Sequence, residues 1–327
     1  MTADLSKISQ NNFVIIGRAG MDFYADPPGT KTENAERFVA CLGGSSANIG
    51  VAIVKLGGRA SLVTRVSDDA VGRAAVNQLR HYGVNPDHVH PVAGEYRNSL
   101  AVIETTLVDH QSVIYRNGAA DFQMNEDDVR AVDYGQYGAL ITTGTVLAME
   151  PSRSATFTAF DLAKQAGLPV IFDIDFRPYS WASAEEAADI YSRAAAYCDI
   201  VIGNDDEFGV MAGAKEKGLA FAENLAKTTA QIVVYKLGPE GSITFTPEGS
   251  FRTGIFKVDA LKPTGAGDSF MGAFIASFAA GLPLEQCVER GSAAAAIVVT
   301  RVGCAPAMPF PAEIDAFVAN HPGISEG

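Results

Sequence analysis

From Ala139 onward the chain alternates short apolar runs with helical patterns, and this rhythm constrains the fold more than any other feature. Ala139–Thr143 reads as a strand followed by a helix over Ser152–Gln165, and Val170–Ile174 is followed by Ala184–Tyr197. Ile200–Ile202 leads into Glu207–Met211 and Glu216–Lys227, and Ile232–Leu237 into a hairpin of Ser242–Thr246 and Phe251–Val258. The last third reads as three helices, Ser269–Ala280, Leu284–Val299 and Pro311–Asn320. Apolar strands separated by helices must bury both faces, which requires an α/β fold with a central, mostly parallel sheet flanked by helices.

The first part breaks this rhythm. Phe13–Ile16, Met21–Ala25 and Arg37–Leu42 read as strands with no helix between them. Gly43-Gly44 opens a helix, Ser45–Leu56, which Gly57-Gly58 stops. Ala60–Val66 reads as a strand and Val71–Tyr82 as a helix, and Asn98–Thr106 with Gln111–Arg116 reads as a hairpin around Val108–His110. The unaccompanied strands, from about 18–42 and 98–118, suit a small β-sheet inserted into the main body as a lid. No repeat or Pro/Gly-rich linker marks a boundary, so the chain reads as one α/β domain over 1–327.

Charge narrows the partners. A formal net charge of −13 disfavours nucleic acid and anionic membranes, which both need a basic face. The N-terminus has no apolar signal core, and no apolar run reaches the length of a membrane span. Cys41, Cys198, Cys287 and Cys304 lack metal-ligand spacing and read as buried thiols of a reducing cytoplasm. His88 and His90 have no third ligand nearby and read as a loop or strand edge.

The chemistry concentrates in Lys262-Pro263-Thr264-Gly265-Ala266-Gly267-Asp268. Phe270, Phe274 and Phe278 recur every four residues after it, the signature of an amphipathic helix. A glycine turn opening a helix presents unsatisfied N–H groups and the positive end of the helix dipole, which suit phosphate. An aspartate there can accept a proton from a hydroxyl beside that phosphate. Read alone, the segment is equally a capped helix start. A Gly-x-x-x-x-Gly-Lys-Ser/Thr phosphate loop and a Gly-x-Gly-x-x-Gly after the first strand are both absent from the sequence.

Gly43-Gly44-Ser45-Ser46-Ala47-Asn48 near the start, paired with Thr264-Gly265-Ala266-Gly267-Asp268 near the end, resembles the ribokinase-like (PfkB) carbohydrate kinase family over about Phe13 to Pro309. The resemblance implies a ribokinase-like fold and ATP-dependent phosphorylation of a primary hydroxyl with Mg2+. It makes Asp268 the base, and gives the N–H groups of Gly265, Ala266 and Gly267 the charge on the moving phosphoryl group. Asp22, Gly44 and Asn48 match the family's sugar contacts, and this reading is favoured over the separate ones of Asp22 as a turn residue and Asn48 as a buried helix polar group. Asn204 and Glu207 resemble the family's Asn-x-x-Glu motif, with Glu207 serving Mg2+ through water and Asn204 the nucleotide. Lys236, Gly238 and Gly241 resemble the strand end beside the nucleotide phosphates, and Thr264 joins them.

Arg116 and Arg177 lie in segments similar to those of the sugar-acid kinases of this family, and a guanidinium fork suits a carboxylate. Together with the Lys262–Asp268 run, Asp173–Trp181 is similar to the branch that phosphorylates the 6-hydroxyl of a keto-deoxy sugar acid in bacterial inositol breakdown. A 2-dehydro-3-deoxygluconate kinase, a fructokinase, a nucleoside kinase and a catalytically silent sugar-acid sensor are the alternatives. Many family members carry Asp-Thr where this chain has Lys262-Pro263, and that aspartate contributes to a monovalent-cation site. The charge reversal implies that the Lys262 ammonium replaces the ion. Family members often pair through the lid sheet, which implies a homodimer.

Overall fold

The computed structural model describes residues 3–106 and 109–321. In chain order its strands are β1 (Asn12–Ile16), β2 (Gly20–Asp26), β3 (Arg37–Gly43), β4 (Arg59–Ser67), β5 (Asn85–Val92), β6 (Leu100–Ile103), β7 (Ser112–Tyr115), β8 (Ala139–Thr143), β9 (Val170–Asp173), β10 (Ile200–Asn204), β11 (Ile232–Lys236), β12 (Ser242–Thr246) and β13 (Gly249–Thr253). Its α-helices are α1 (Ser45–Lys55), α2 (Ala70–His81), α3 (Glu126–Arg130), α4 (Ser152–Gln165), α5 (Ala184–Ala195), α6 (Asp205–Met211), α7 (Gly218–Thr228), α8 (Ala266–Ala279), α9 (Leu284–Val299) and α10 (Pro311–Asn320).

The chain divides into two compact units. The first contains the residues through Ile16 together with Met124–Ile255. Its strands lie in the order β13-β12-β11-β10-β9-β8-β1. Pairing from β11 to β1 is parallel, with Phe13 opposite Ala139 and Ile200 opposite Ile232, while β12 and β13 run antiparallel. Every residue of β8 and β9 is buried, as the apolar runs require of strands covered on both faces.

The second unit contains Gly17–Gln123 and the described residues from Phe256 onward. It holds the parallel pair β4 and β5 and a four-stranded sheet in the order β3-β2-β6-β7. That small sheet comes from the segments expected to supply one. Leu107 and Val108, part of the expected β6–β7 turn, lie outside the described residues. His88 and His90 lie on β5, opposite Val63 and Arg65.

Helix starts follow local chemistry. Asp69 caps α2 by accepting from the N–H groups of Val71 and Gly72, and Ser183 caps α5 by accepting from Glu186. Phe270, Phe274 and Phe278 stack down one side of α8 at 6.3 and 6.2 Å. A Cβ on Gly272 would lie 2.3 Å from the Ala52 Cβ, so this glycine lets α8 press against α1. The contact fixes the helix carrying Asn48 against the helix carrying Asp268.

Candidate active site

Helix α8 begins at Gly265, whose φ of 88° lies in the left-handed region that glycine enters without strain. No side chain caps this end, so its first N–H groups are left to a ligand or to water. Asp268 sits in the first turn. The Asn48 side chain donates from Nδ2 to the Asp268 Oδ2 at 2.8 Å. The Asn48 Oδ1 is buried and has no hydrogen-bond partner, and neither has the Ser269 Oγ. A buried acceptor left open beside a carboxylate is a place for a hydroxyl donor.

Asp22 is buried on β2. Its carboxylate lies over the Cα of Gly43, where an added Cβ would sit 2.0 Å from Oδ1, so Gly43 is the space that Asp22 occupies. Gly44 has φ 92°, and a Cβ there would meet the Arg18 carbonyl oxygen at 2.5 Å. Backbone does approach Gly44 closely, and the backbone is that of Arg18. Burial pushes the Asp22 carboxyl up to about 6, opposed by the positive charge of Arg18 and reinforced by the negative charge of Asp268.

Lys262 is wholly buried, and its ammonium donates to the Thr264 carbonyl at 2.5 Å, within the turn that leads to Gly265. Burial lowers its pKa against the opposing pull of Cys304, Asp22 and Asp268. The Cys304 thiol closes the other side of the turn, since a Cβ on Gly265 would come within 2.8 Å of its sulfur. Cys304 contacts the Tyr24 hydroxyl at 3.2 Å, and burial pushes the thiol up to about 12.

The second unit thus gathers Asp22, Gly44, Asn48, Lys262, Thr264, Gly265, Ala266, Gly267 and Asp268. It also contains Arg116, which is held in its own ion pair. The Arg116 Nε donates to the Asp121 Oδ2 at 3.1 Å, its Nη2 contacts the same oxygen, and the guanidinium lies 4.0 Å over the Phe122 ring.

The first unit contains the remaining candidates. Asn204 and Glu207 form a capping box on α6. The Asn204 Oδ1 accepts from the Glu207 N–H at 2.9 Å, and the Glu207 Oε2 accepts from the Asn204 N–H at 2.7 Å. The Glu207 Oε1 accepts from the Phe176 N–H at 3.1 Å. Burial raises the Glu207 pKa, opposed first by the charge of Lys236. Lys236 ends β11 opposite Asn204, ahead of a turn in which Gly238 and Gly241 take φ of 57° and 86°. The Arg177 Nη2 pairs with the Asp175 Oδ1 at 2.6 Å.

No cluster of three or more His, Cys, Asp or Glu side chains able to hold a metal occurs among the described residues. Each Glu207 oxygen accepts one amide and keeps a second lone pair. Such a carboxylate fits magnesium that keeps its waters and is held mainly by phosphate oxygens.

Sequence reasoning missed Arg18, Cys304 and Tyr24. The signal for Arg18 was available, as a lone arginine between Gly17 and Ala19 directly after a buried apolar strand. Cys304 and Tyr24 carried no local pattern, because only folding brings positions 280 apart together.

Residues 10–311 match the family described as pfkB family carbohydrate kinase. A 5-dehydro-2-deoxygluconokinase from Photobacterium profundum is 38% identical over 301 residues, 90% of this chain and 91% of that protein. Among solved structures, a PfkB protein from Polaromonas sp. JS666 is 28% identical with a TM-score of 0.79, covering 93% of this chain and 99% of that one. A fructokinase double mutant from Vibrio cholerae O395, in fructose, ADP and potassium ion bound form, is 25% identical with a TM-score of 0.81, covering 97% and 99%. The chain belongs to the pfkB family of carbohydrate kinases, enzymes that phosphorylate sugars.

Proposed function

We propose that this kinase transfers the γ-phosphoryl group of ATP to the 6-hydroxyl of 5-dehydro-2-deoxy-D-gluconate, in the cytoplasm, as a step of inositol breakdown. The observation that carries the reading is the Asn48–Asp268 hydrogen bond at the open start of α8. It aims a carboxylate and an unpartnered amide oxygen at the place where N–H groups can hold an anion. The relatives named for this activity match over nearly their whole length and supply the substrate.

Asp268 takes the proton of the substrate hydroxyl as its oxygen bonds to the γ-phosphorus and the bond to ADP breaks. The N–H groups of Gly265, Ala266 and Gly267 hold the charge on the transferring group. Asp22, Gly44 and Asn48 orient the sugar, because a carboxylate and an amide accept from adjacent hydroxyls. Lys236, Asn204, Thr264 and the Gly238–Gly241 turn serve the nucleotide. Magnesium, held with help from Glu207 through water, would neutralise phosphate charge. Lys262 supplies its positive charge in place of a monovalent cation. The small sheet acts as a lid that keeps out water, which otherwise competes as acceptor. Pairing of two copies through that sheet belongs to the same reading, since Phe38, Val39, Val113 and Tyr115 are exposed on β3 and β7, and a molar mass in solution tests it.

A coupled ADP-release assay over 5-dehydro-2-deoxy-D-gluconate, 2-dehydro-3-deoxy-D-gluconate, fructose and adenosine tests the assignment. The first should give the highest kcat/KM. Preference for fructose or adenosine would replace the sugar-acid reading, and no ADP release with any of them would point to a sensor.

A further inference from the structure

The sugar-acid reading needs a cation for the substrate carboxylate, and the two arginines expected from the sequence already have carboxylate partners, Asp121 and Asp175. A third arginine is placed differently. Arg18 is only 7% exposed, and its Nε is buried without an acceptor. Its side chain makes no hydrogen bond or ion pair among the described residues. Asp22 feels its charge, yet the two form no ion pair there.

The position of Arg18 is fixed from several sides. Its carbonyl accepts from the Ala47 N–H at 3.3 Å at the start of α1. Its carbonyl and Cγ would lie 2.5 and 3.1 Å from a Cβ on Gly44, so the stem of the side chain is laid over that glycine. Arg18 therefore shares one corner with Asp22, Gly44 and the helix that carries Asn48. Burying a guanidinium with its N–H groups unpaired is costly even with the Asp22 charge nearby, and an anionic ligand that completes its hydrogen bonds removes that cost. A sugar acid has its carboxylate and its primary hydroxyl at opposite ends of the carbon chain. The group that reads the carboxylate must therefore differ from the Asn48–Asp268 pair that receives the hydroxyl.

We propose that Arg18 is the carboxylate-binding, specificity-determining residue of this kinase, its planar fork receiving the acid end of the sugar while Asp22 holds hydroxyls beside it. The assignment rests on the sugar-acid reading above. It is tested by steady-state kinetics of the parent, Arg18→Gln and Arg18→Lys on 5-dehydro-2-deoxy-D-gluconate and on its neutral analogue with a hydroxymethyl group in place of the carboxylate. The expected result is that Arg18→Gln lowers the preference for acid over neutral analogue by roughly 100-fold, mainly through KM, with Arg18→Lys intermediate. An unaltered ATP KM and unfolding midpoint would show that the loss is not one of folding. A parent active on the acid whose Arg18→Gln variant keeps the same preference overturns the Arg18 assignment alone. Equal loss on acid and neutral analogue makes Arg18 structural and also overturns it. A parent inactive on the acid overturns the sugar-acid reading itself. If Arg18→Gln fails to fold, the preference ratio of Arg18→Lys decides, and an unchanged ratio there overturns the assignment.

Discussion

Asn48 and Asp268, 220 positions apart in the chain, meet through a single 2.8 Å hydrogen bond between the first turns of α1 and α8. The bond fixes the direction in which the Asp268 carboxylate points.

Replacing Asp268 with Asn removes the proposed proton acceptor and keeps the shape. Turnover should fall by roughly 100- to 10,000-fold while ATP and sugar still bind. Single-turnover kinetics and calorimetric titration separate the two effects, and near-normal turnover would remove Asp268 as the base.

Potassium should have little influence. With the Lys262 ammonium fixed on the Thr264 carbonyl, exchanging potassium for tetramethylammonium at constant ionic strength should change kcat by less than about twofold. Lys262→Met should both slow turnover and create a potassium response. A steep potassium dependence of the parent would sink the substitution idea.

Asp22 makes stability depend on pH in a defined direction. Its carboxyl moves from 3.8 up to about 6 on folding, mainly through burial, so the folded state binds the proton more readily. That contribution is complete below the unfolded value and is lost as pH rises from 3.8 through about 6. Between about pH 4 and pH 8, the stability of Asp22→Asn relative to the parent should therefore rise by on the order of 3 kcal/mol. Urea unfolding at both pH values measures this, and a constant difference would refute it. Sugar KM should rise below about pH 6 as Asp22 protonates.

Gly43→Ala should disturb the sugar contact proposed for Asp22. The new methyl group would occupy the position of the Asp22 carboxylate, 2.0 Å from Oδ1. A loss of about 1–3 kcal/mol in stability is expected, with a raised sugar KM and an unchanged ATP KM. Thermal unfolding together with KM for each substrate checks it, and an unaffected sugar KM would show that Asp22 does not touch the sugar.

Much of the fold was legible because its signals are local. Strand β8 and helices α4, α9 and α10 fall where the apolar periodicity puts them. Two elements were not legible. Strand β5 carries Pro86 and Pro91 and is half-exposed along most of its length, so it lacks the apolar run that marks its neighbours. Helix α3 spans only five residues, four of them charged, stabilised by the capping box of Asn125 and Asp128. The glycine turn and Asp268 could be read from the sequence, whereas the Asn204–Glu207 pattern stood out only through its resemblance to the family's Asn-x-x-Glu motif. The pairing of Arg116 with Asp121 and of Arg177 with Asp175 could not, since nothing in spacing alone says that an arginine is already matched. The open guanidinium of Arg18 was invisible for the same reason, because a missing partner is a property of three-dimensional surroundings.

The sulfur packed against Gly265 has a consequence for inhibitors. Alkylating reagents and peroxide attack the thiolate, and a thiol whose ionisation is pushed up to about 12 offers almost none at neutral pH. Cys304 therefore walls the Gly265 turn as a space-filler that is chemically silent, and brief iodoacetamide treatment should leave activity intact in the native enzyme. Once unfolding exposes the sulfur, a carboxamidomethyl group added there could no longer fit against the turn. The same reagent applied in denaturant to a variant that keeps Cys304 as its one cysteine, with Cys41, Cys198 and Cys287 replaced, should then block recovery of activity, making Cys304 a recorder of whether the molecule has ever opened.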